Sequence, residues 1–484
     1  MNFFGALSKY KIDKTKTALI FNDKCYSYNE LFLKINSVSV ALKKLGIEKN
    51  DNVALLSSNS DEFVIIIFAL WNIGAVPIPI NIRLLPEEIL KLTDFTQCKF
   101  LLHDDFSIFS SKNQNMQIFS FADLFNSDYY HSEHFHFHIN GKDIALILFT
   151  SGSTGNPKGV VITFNNFIRS AENGNQIFKH QEHERWLASL PFYHVGGFSI
   201  ITRSFLYGAT LIIPDGQGHE EIKNALYNFD PTQTSFVTTQ LKRLLETQTK
   251  PNPSLKHVLL GGGFLENELV ESAISYGWNV SKSYGATETT SFVTALSSSE
   301  FKNKPDSAGK SLIPNKIFIV DEEKKFLPSG SVGEVVIKSD SVAEGYFNNP
   351  KETSEKFING LYFTGDFGWL DDEGYLFIEV RRNDLIISGG ENISPLEVEK
   401  EIQKHPSIIE ACVFGLKDDV WGHSVCAALI TKQNSKITLT ELNSFLADKL
   451  SSYKLPKKIF ITDEFPKTEL GKIQKEKLKE MLLK

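Results

Sequence analysis

Residues 149–160 read FTSGSTGNPKGV, with three glycines, two serines, two threonines, one proline and one lysine in twelve positions. Glycines let backbone N–H groups close round a ligand. Thr150, Ser151, Ser153 and Thr154 add hydroxyls beside Gly152 and Gly155, and Lys158 adds positive charge. That chemistry suits phosphate. It is not a P-loop, because Pro157 rather than glycine precedes the lysine and no Gly-Lys-Ser/Thr follows. A plain polar turn has a similar composition, so the loop alone leaves both readings open.

Five other stretches are polar or glycine-rich where a structural element should be ending. PFYHVGG (191–197) sets His194 among aromatics and glycines, although a histidine in such company also serves a core, bonded to a backbone carbonyl. LLGGGF (259–264) is an apolar run ending in Gly261, Gly262 and Gly263, where backbone can approach a flat ligand. SYGATET (283–289) gathers an aromatic, a hydroxyl and a carboxylate in Tyr284, Thr287 and Glu288. YFTGD (362–366) delivers Asp366 at a turn, and PKTELGKI (466–473) sets Lys472 beside a glycine. Each alone also reads as a turn. HSEHFHFH (131–138) holds His131, His134, His136 and His138. No Cys or Asp cluster accompanies them, and alternation with Phe135 and Phe137 favours an extended segment with one packed face over a metal site.

The elements that must position these groups follow from periodicity. The run 144–149 is short, branched and aromatic, as a buried strand is, and loops leaving such strands are where α/β proteins bind ligands. Residues 27–46 carry Leu31, Ile35, Val38, Leu42 and Leu45 on one helical face, with Ser27 as N-cap and Gly46 as stop. A strand at 52–57 and a helix at 61–72 follow, and the alternation continues to about residue 300, which predicts a largely parallel sheet layered with helices. Residues 103–142 read as an irregular surface excursion. From about 305 the texture turns to short strands and turns (KIFIVD, GEVVIKS, GYLFIEV), a β-rich subdomain. After RRNDL a new helix–strand pattern begins, with LEVEKEIQKH and TLTELNSFLADKL helical and IIEACVFGL a strand.

A chain of 484 residues exceeds one core and predicts at least two domains. A net charge of −7 argues against a broad nucleic-acid surface. Cys25, Cys98, Cys412 and Cys426 form no CxxC pair and read as reduced thiols of a cytoplasmic protein. The most apolar run, 63–71, ends at Asn72 and falls short of the ~18 residues a membrane span needs.

Taken in order, the 149–160 loop, PFYHVGG, GGG, YGATE, TGD, RRNDLIISGGENI and PKTELGKI resemble the adenylate-forming acyl-CoA synthetase superfamily over essentially the whole chain. The resemblance implies an α/β fold: a large N-terminal domain of layered parallel sheets with a β-rich subdomain (1–383), and a small mobile α+β C-terminal lid (384–484). It implies that an acid attacks the α-phosphate of ATP, giving acyl-AMP and pyrophosphate, and that a thiol, usually that of coenzyme A, then takes the acyl group. The implied catalytic set is Lys472, Thr287, Glu288 and His194. The Thr150–Lys158 loop would hold the β- and γ-phosphates, Thr287 would meet the α-phosphate, and Glu288 would position Mg²⁺. Asp366 and Arg381 would take the ribose hydroxyls, with Tyr284 and Gly261–Gly263 around the adenine. Asp384 occupies the hinge, and Gly389 and Gly390 would leave room for the thiol arm. Val380-Arg381 stands where many members have Gly-Arg, and Trp421-Gly422-His423 where they often have Trp-Gly-Glu.

Within the superfamily the short chain, with LPFYHVGGFSI, TTQLKRLL and SYGATETTS, resembles members that ligate an aromatic dicarboxylate. Their acid pocket would draw on His194 with Ser291 and Thr294. The alternatives are a CoA ligase for another aryl or medium-chain acid, and a nucleotide-binding protein without catalysis. Amino-acid adenylation is disfavoured, since VTTQL (237–241) lacks the aspartate that would hold an α-ammonium. The expected partners are therefore small molecules, with homo-oligomerisation left open.

Overall fold

The structure is a computed structural model that describes residues 13–104, 116–125, 140–150, 157–179, 181, 183–262, 265, 267–380, 386–432, 437–466 and 473–483. The chain divides into two compact units. The larger comprises Met1–Ile82, Lys91–Phe149 and Gly159–Val380; the smaller comprises Arg83–Leu90, Thr150–Lys158 and Arg381–Lys484. Residues 381–385, which span the expected boundary between 383 and 384, lie outside the described residues.

In the larger unit, strands Thr17–Phe21, Thr210–Ile213, Arg185–Leu187, Gln233–Phe236, His257–Leu260 and Val280–Ala286 lie side by side and parallel. Beyond Val280–Ala286 the sheet continues antiparallel through Ser291–Leu296, Gly309–Ser311, Tyr375–Val380, Leu361–Leu370, Gly333–Lys338 and Lys316–Val320. The β-rich stretch expected from residue 305 is thus hydrogen-bonded onto the same sheet. The change of pairing falls at the strand that carries Tyr284.

Helix Tyr28–Lys44 starts where expected, because Ser27 and Glu30 form a reciprocal capping box: Ser27 N–H donates to Glu30 Oε2 at 2.8 Å and Glu30 N–H to Ser27 Oγ at 3.2 Å. Helix Asp61–Ile73 is buried continuously from Phe63 to Trp71, and the Trp71 indole donates to the Ala145 carbonyl at 2.6 Å. That bond ties the helix to strand Ile144–Thr150. At 13 residues the helix is roughly 20 Å long. No helix among the described residues is long and apolar enough to cross a membrane.

The expectation of an irregular excursion over 103–142 needs correcting for its described part. Strand Gln117–Ser120 pairs in parallel with Phe100–His103, and helix Phe121–Phe125 buries Phe121 and Leu124. A four-residue strand gives too few positions for a visible period, and the Ser120–Asp123 cap that starts the helix resembles loop chemistry.

The smaller unit holds a five-stranded sheet of Ile386–Ser388, Glu391–Ile393, Ile408–Asp418, Gly422–Thr431 and Lys458–Ile461. Helices Pro395–Ile402 and Leu439–Leu446 cover it, burying Val398, Ile402, Leu442 and Leu446 against Val413, Ala427 and Leu429.

Candidate active site

Strand Val280–Ala286 leads into a one-turn 3₁₀ helix, Thr287–Thr289, before the chain reverses as Ser291–Leu296. The reversal is tight: a Cβ at Gly285 would lie 2.1 Å from the Ser291 carbonyl oxygen, so only glycine fits. The Thr289 hydroxyl closes the turn, accepting from Ala286 N–H at 2.8 Å and donating to the Ser291 carbonyl at 2.6 Å. Tyr284, Thr287 and Glu288 therefore share one rigid bend, with Tyr284 and Glu288 buried and Thr287 half-buried.

Tyr284 donates its hydroxyl to Asp366 Oδ2 at 2.7 Å. Asp366 stands on an irregularity of strand Leu361–Leu370: Val336 pairs with Phe363, and Glu334 already pairs with Phe367. The extra residues include Gly365 and Asp366, whose backbone is held by Gly365 N–H on Glu334 Oε1 (2.8 Å) and Asp366 N–H on Thr364 Oγ1 (3.0 Å). Such bulges re-aim side chains beside sites. The aromatic and the acid expected at a nucleoside thus meet in one hydrogen bond.

Glu288 is 4% exposed, and its Oε1 accepts from the Tyr346 hydroxyl at 2.8 Å. Its backbone carbonyl accepts from Ala343 N–H at 2.8 Å. Residues 340–347 are in turn fixed by Asn166, which donates to the Asp340 and Val342 carbonyls at 3.1 and 2.8 Å. Strand Gly345–Tyr346 then pairs antiparallel with Lys158–Thr163, Tyr346 opposite Val160. Lys158 opens that strand and is 5% exposed. Among the described residues no group of three His, Cys, Asp or Glu is placed to hold a metal on its own.

Elsewhere in the larger unit, Gly261 and Gly262 end strand His257–Leu260, and Ser283 Oγ beside them donates to the Leu260 carbonyl at 2.9 Å. His194 is the N-cap of helix Val195–Leu206, with its ring edge-on to Tyr193 at 4.8 Å. Asn59 fixes the approach, accepting from Phe192 N–H (2.9 Å) and donating to the Leu190 carbonyl (2.8 Å). Ser291 is buried at the head of its strand. Thr294 is wholly buried and donates to the Ala308 carbonyl at 2.6 Å, which engages the hydroxyl that the sequence assigned to the acid pocket.

One charge in this unit went unremarked in the sequence. Arg203, the lone charged residue of VGGFSIITRSFL, is 3% exposed, and its guanidinium lies 5.0–5.6 Å from the rings of Trp186, Phe178 and Phe292. Nε donates to the Ser199 carbonyl at 2.9 Å, while Nη1 finds no acceptor among the described residues. Burial pulls its pKa down to about 9. A lone cation in an apolar helix was the available signal; what surrounds it required the fold. Tyr346 was likewise passed over, although it follows a glycine in EGYFNNP.

In the smaller unit, Gly389 and Gly390 both have left-handed φ (58° and 87°) and form the two-residue turn of the Ile386–Ser388/Glu391–Ile393 hairpin. Gly389 N–H donates to the Trp421 carbonyl at 2.9 Å, and a Cβ on it would lie 2.9 Å from the Trp421 ring. Ser151, Gly152, Ser153, Thr154, Gly155, Gly263, Arg381, Asp384, Lys472 and the 131–138 histidines lie outside the described residues.

Residues 10–347 match the AMP-binding enzyme family, and residues 397–472 match the AMP-binding enzyme C-terminal domain. A 2-succinylbenzoate–CoA ligase of Bacillus cereus (strain Q1) is 35% identical over 474 residues, 96% of each chain. Among solved structures, an o-succinylbenzoate CoA synthetase double mutant from Bacillus subtilis, bound with a product analogue, superimposes with a TM-score of 0.92. It is 32% identical and covers 99% of this chain and 98% of that one. The Bacillus subtilis enzyme in complex with ATP and magnesium ion gives a TM-score of 0.76 at 32% identity, covering 99% of each chain.

Proposed function

The chain belongs to the AMP-binding enzyme family, and from that premise we propose that it ligates o-succinylbenzoate to coenzyme A through an acyl-adenylate. The geometric observation behind this reading is the single bend that carries Tyr284 on Asp366 and Glu288 on Tyr346. It sets an aromatic–acid pair and a fixed carboxylate four residues apart, which suits a nucleoside beside a metal-bound triphosphate.

In the first half-reaction a carboxylate oxygen attacks the α-phosphorus of ATP, a bond to that oxygen forms, and pyrophosphate leaves. An anion attacks an anion, so donors and cations must already be in place in a site with little water. The Thr150–Lys158 loop holds the β- and γ-phosphates, Thr287 donates to the α-phosphate, and Lys472 bridges the carboxylate and the α-phosphate. Asp366, oriented by Tyr284, accepts from the ribose with Arg381 beside it, and Gly261–Gly263 lie along the adenine. The buried Glu288 carboxylate, held by Tyr346, offers the oxygen ligand that Mg²⁺ takes and would hold the ion. When bound, Mg²⁺ supplies charge neutralisation of the triphosphate.

In the second half-reaction the CoA thiol adds to the acyl carbonyl and AMP departs. Asp384 is the hinge between the domains 1–383 and 384–484, and Gly389 and Gly390 make room for the thiol arm. Cys25, Cys98, Cys412 and Cys426 are thiols rather than disulfides, in keeping with work in the cytoplasm.

The acid is assigned from the relatives, and Arg203 supports it. A buried guanidinium with a donor to spare is matched by a second carboxylate, the group that separates o-succinylbenzoate from a monocarboxylic acid. His194 and Ser291 border the acyl group.

The test is a panel of acids with Mg·ATP and CoA. Equal yields of AMP, pyrophosphate and thioester with o-succinylbenzoate, and little with benzoate or octanoate, are expected. Preference for another acid would overturn the substrate, and ATP binding with no pyrophosphate from any acid would overturn the ligase.

Gly389→Ala separates the two steps. A left-handed alanine costs about 1–2 kcal/mol, and its methyl displaces the Trp421 ring. Transfer to CoA is expected to slow about five- to thirtyfold, with pyrophosphate release unchanged when CoA is omitted. Equal slowing of both would remove Gly389 from the thiol path.

A further inference from the structure

We propose that Tyr346 is a positioning residue for the metal: its hydroxyl sets the orientation in which the Glu288 carboxylate receives Mg²⁺. The inference rests on the ligase reading above and deepens it.

Tyr346 is held from three sides. Its backbone pairs opposite Val160, and the next residue, Phe347, donates its N–H to the Gly159 carbonyl at 2.7 Å. Its own N–H donates to Thr353 Oγ1 at 3.0 Å. Its ring meets Phe357 edge-on at 5.5 Å, and Phe357 lies 5.0 Å from Tyr362. A ring so confined cannot swing its hydroxyl elsewhere. The hydroxyl points at Glu288 Oε1, 2.8 Å away, on a carboxylate that is 4% exposed and whose backbone is tied to Ala343.

Ligating carboxylates are themselves hydrogen-bonded, and those outer partners set both orientation and affinity. Tyr346 supplies such a bond from one side of the carboxylate. The strand that delivers it is also the edge partner of Lys158–Thr163, the strand that leaves the phosphate loop. One brace therefore sets Glu288 relative to that strand. The other reading is that Tyr346 merely satisfies a buried acid and so supports the fold.

Tyr346→Phe keeps the ring packing and removes the bond. ATP affinity is measured by calorimetry without acid, in Mg²⁺ and in excess EDTA. In parallel, the Mg²⁺ dependence of pyrophosphate release and the conversion of supplied acyl-adenylate by CoA are followed. The Mg²⁺-dependent gain in ATP affinity is expected to shrink, and the Mg²⁺ needed for half-maximal pyrophosphate release to rise, each by roughly 10–100-fold. Affinity in EDTA and conversion of acyl-adenylate, which carries no triphosphate, stay unchanged. In a Glu288→Gln background the same substitution adds no further effect if it acts through Glu288.

An unchanged Mg²⁺ dependence, or equal losses in EDTA, in Mg²⁺ and with acyl-adenylate, would overturn the proposal and leave Tyr346 a structural residue. Failure of the ligase reading has a different signature, namely a wild-type protein that binds ATP and releases no pyrophosphate with any acid.

Discussion

Lys472→Ala is expected to lower pyrophosphate release by at least ~10²–10³-fold while leaving CoA attack on supplied acyl-adenylate little changed. The reason is the charge history of the two steps. In adenylation two anions approach, and negative charge builds on the α-phosphoryl oxygens as pyrophosphate departs. A cation between them is worth more in that arrangement than when the reactants are apart. In thiol transfer the acyl carbonyl is attacked by a thiol and AMP leaves, with no second anion for that cation to bridge. Lys472 lies outside the described residues, and its role comes from PKTELGKI. Equal losses in both half-reactions would contradict it. Single-turnover assays, one with Mg·ATP and acid and one with synthetic acyl-adenylate and CoA, make the comparison.

Arg203→Met is expected to lower catalysis without lowering stability. Burial lowers the Arg203 pKa from the ordinary guanidinium value to about 9. For a base whose folded pKa lies below its unfolded value, the unfolded state binds more protons between the two values. The cost of burying the cation is therefore fully present at neutral pH and fades only as pH rises above about 9 towards the ordinary guanidinium value. Replacing an ill-compensated buried charge by an apolar side chain of similar volume is neutral to stabilising by about 1–4 kcal/mol. The melting temperature of the ligand-free variant should thus rise or hold. Truncating one partner of a buried charge pair costs about 2–5 kcal/mol, roughly 30- to 5000-fold in affinity. The kcat/KM for o-succinylbenzoate should fall by that order, and the residual rate with benzoate should not. In the wild type, o-succinylbenzoate should raise the melting temperature and benzoate should not. Losses of equal size on both acids would remove Arg203 from substrate recognition.

The Ser27 N-cap, the helical face of Leu31, Ile35, Val38 and Leu42, and the helical run over TLTELNSFLADKL were all legible in the sequence, because each is decided within a few turns of chain. The short strand Gln117–Ser120 was not, since its pairing to Phe100–His103 is what makes it a strand. Ordered motifs singled out Tyr284, Thr287, Glu288 and Asp366, but not that Tyr284 and Asp366, 82 residues apart, share a hydrogen bond. Tyr346 on Glu288 is the same case at a separation of 58 residues. Local sequence carries no mark of a partner that only the sheet brings near. Thr294 was named for its place just beyond Glu288, and only the fold brings the Ala308 carbonyl to its hydroxyl. Arg203 stood in plain view as a lone charge, yet whether it faced water, an acid or three aromatic rings depended on two helices and two strands meeting round it.

The most direct measurement is rapid-quench pyrophosphate release with Mg·ATP and o-succinylbenzoate in the absence of CoA. A burst of about one pyrophosphate per active site is expected, followed by near-arrest until CoA is added and the held acyl-adenylate is discharged as thioester. A linear release without a burst, or no release while ATP remains bound, would contradict the adenylate on which every residue assignment rests.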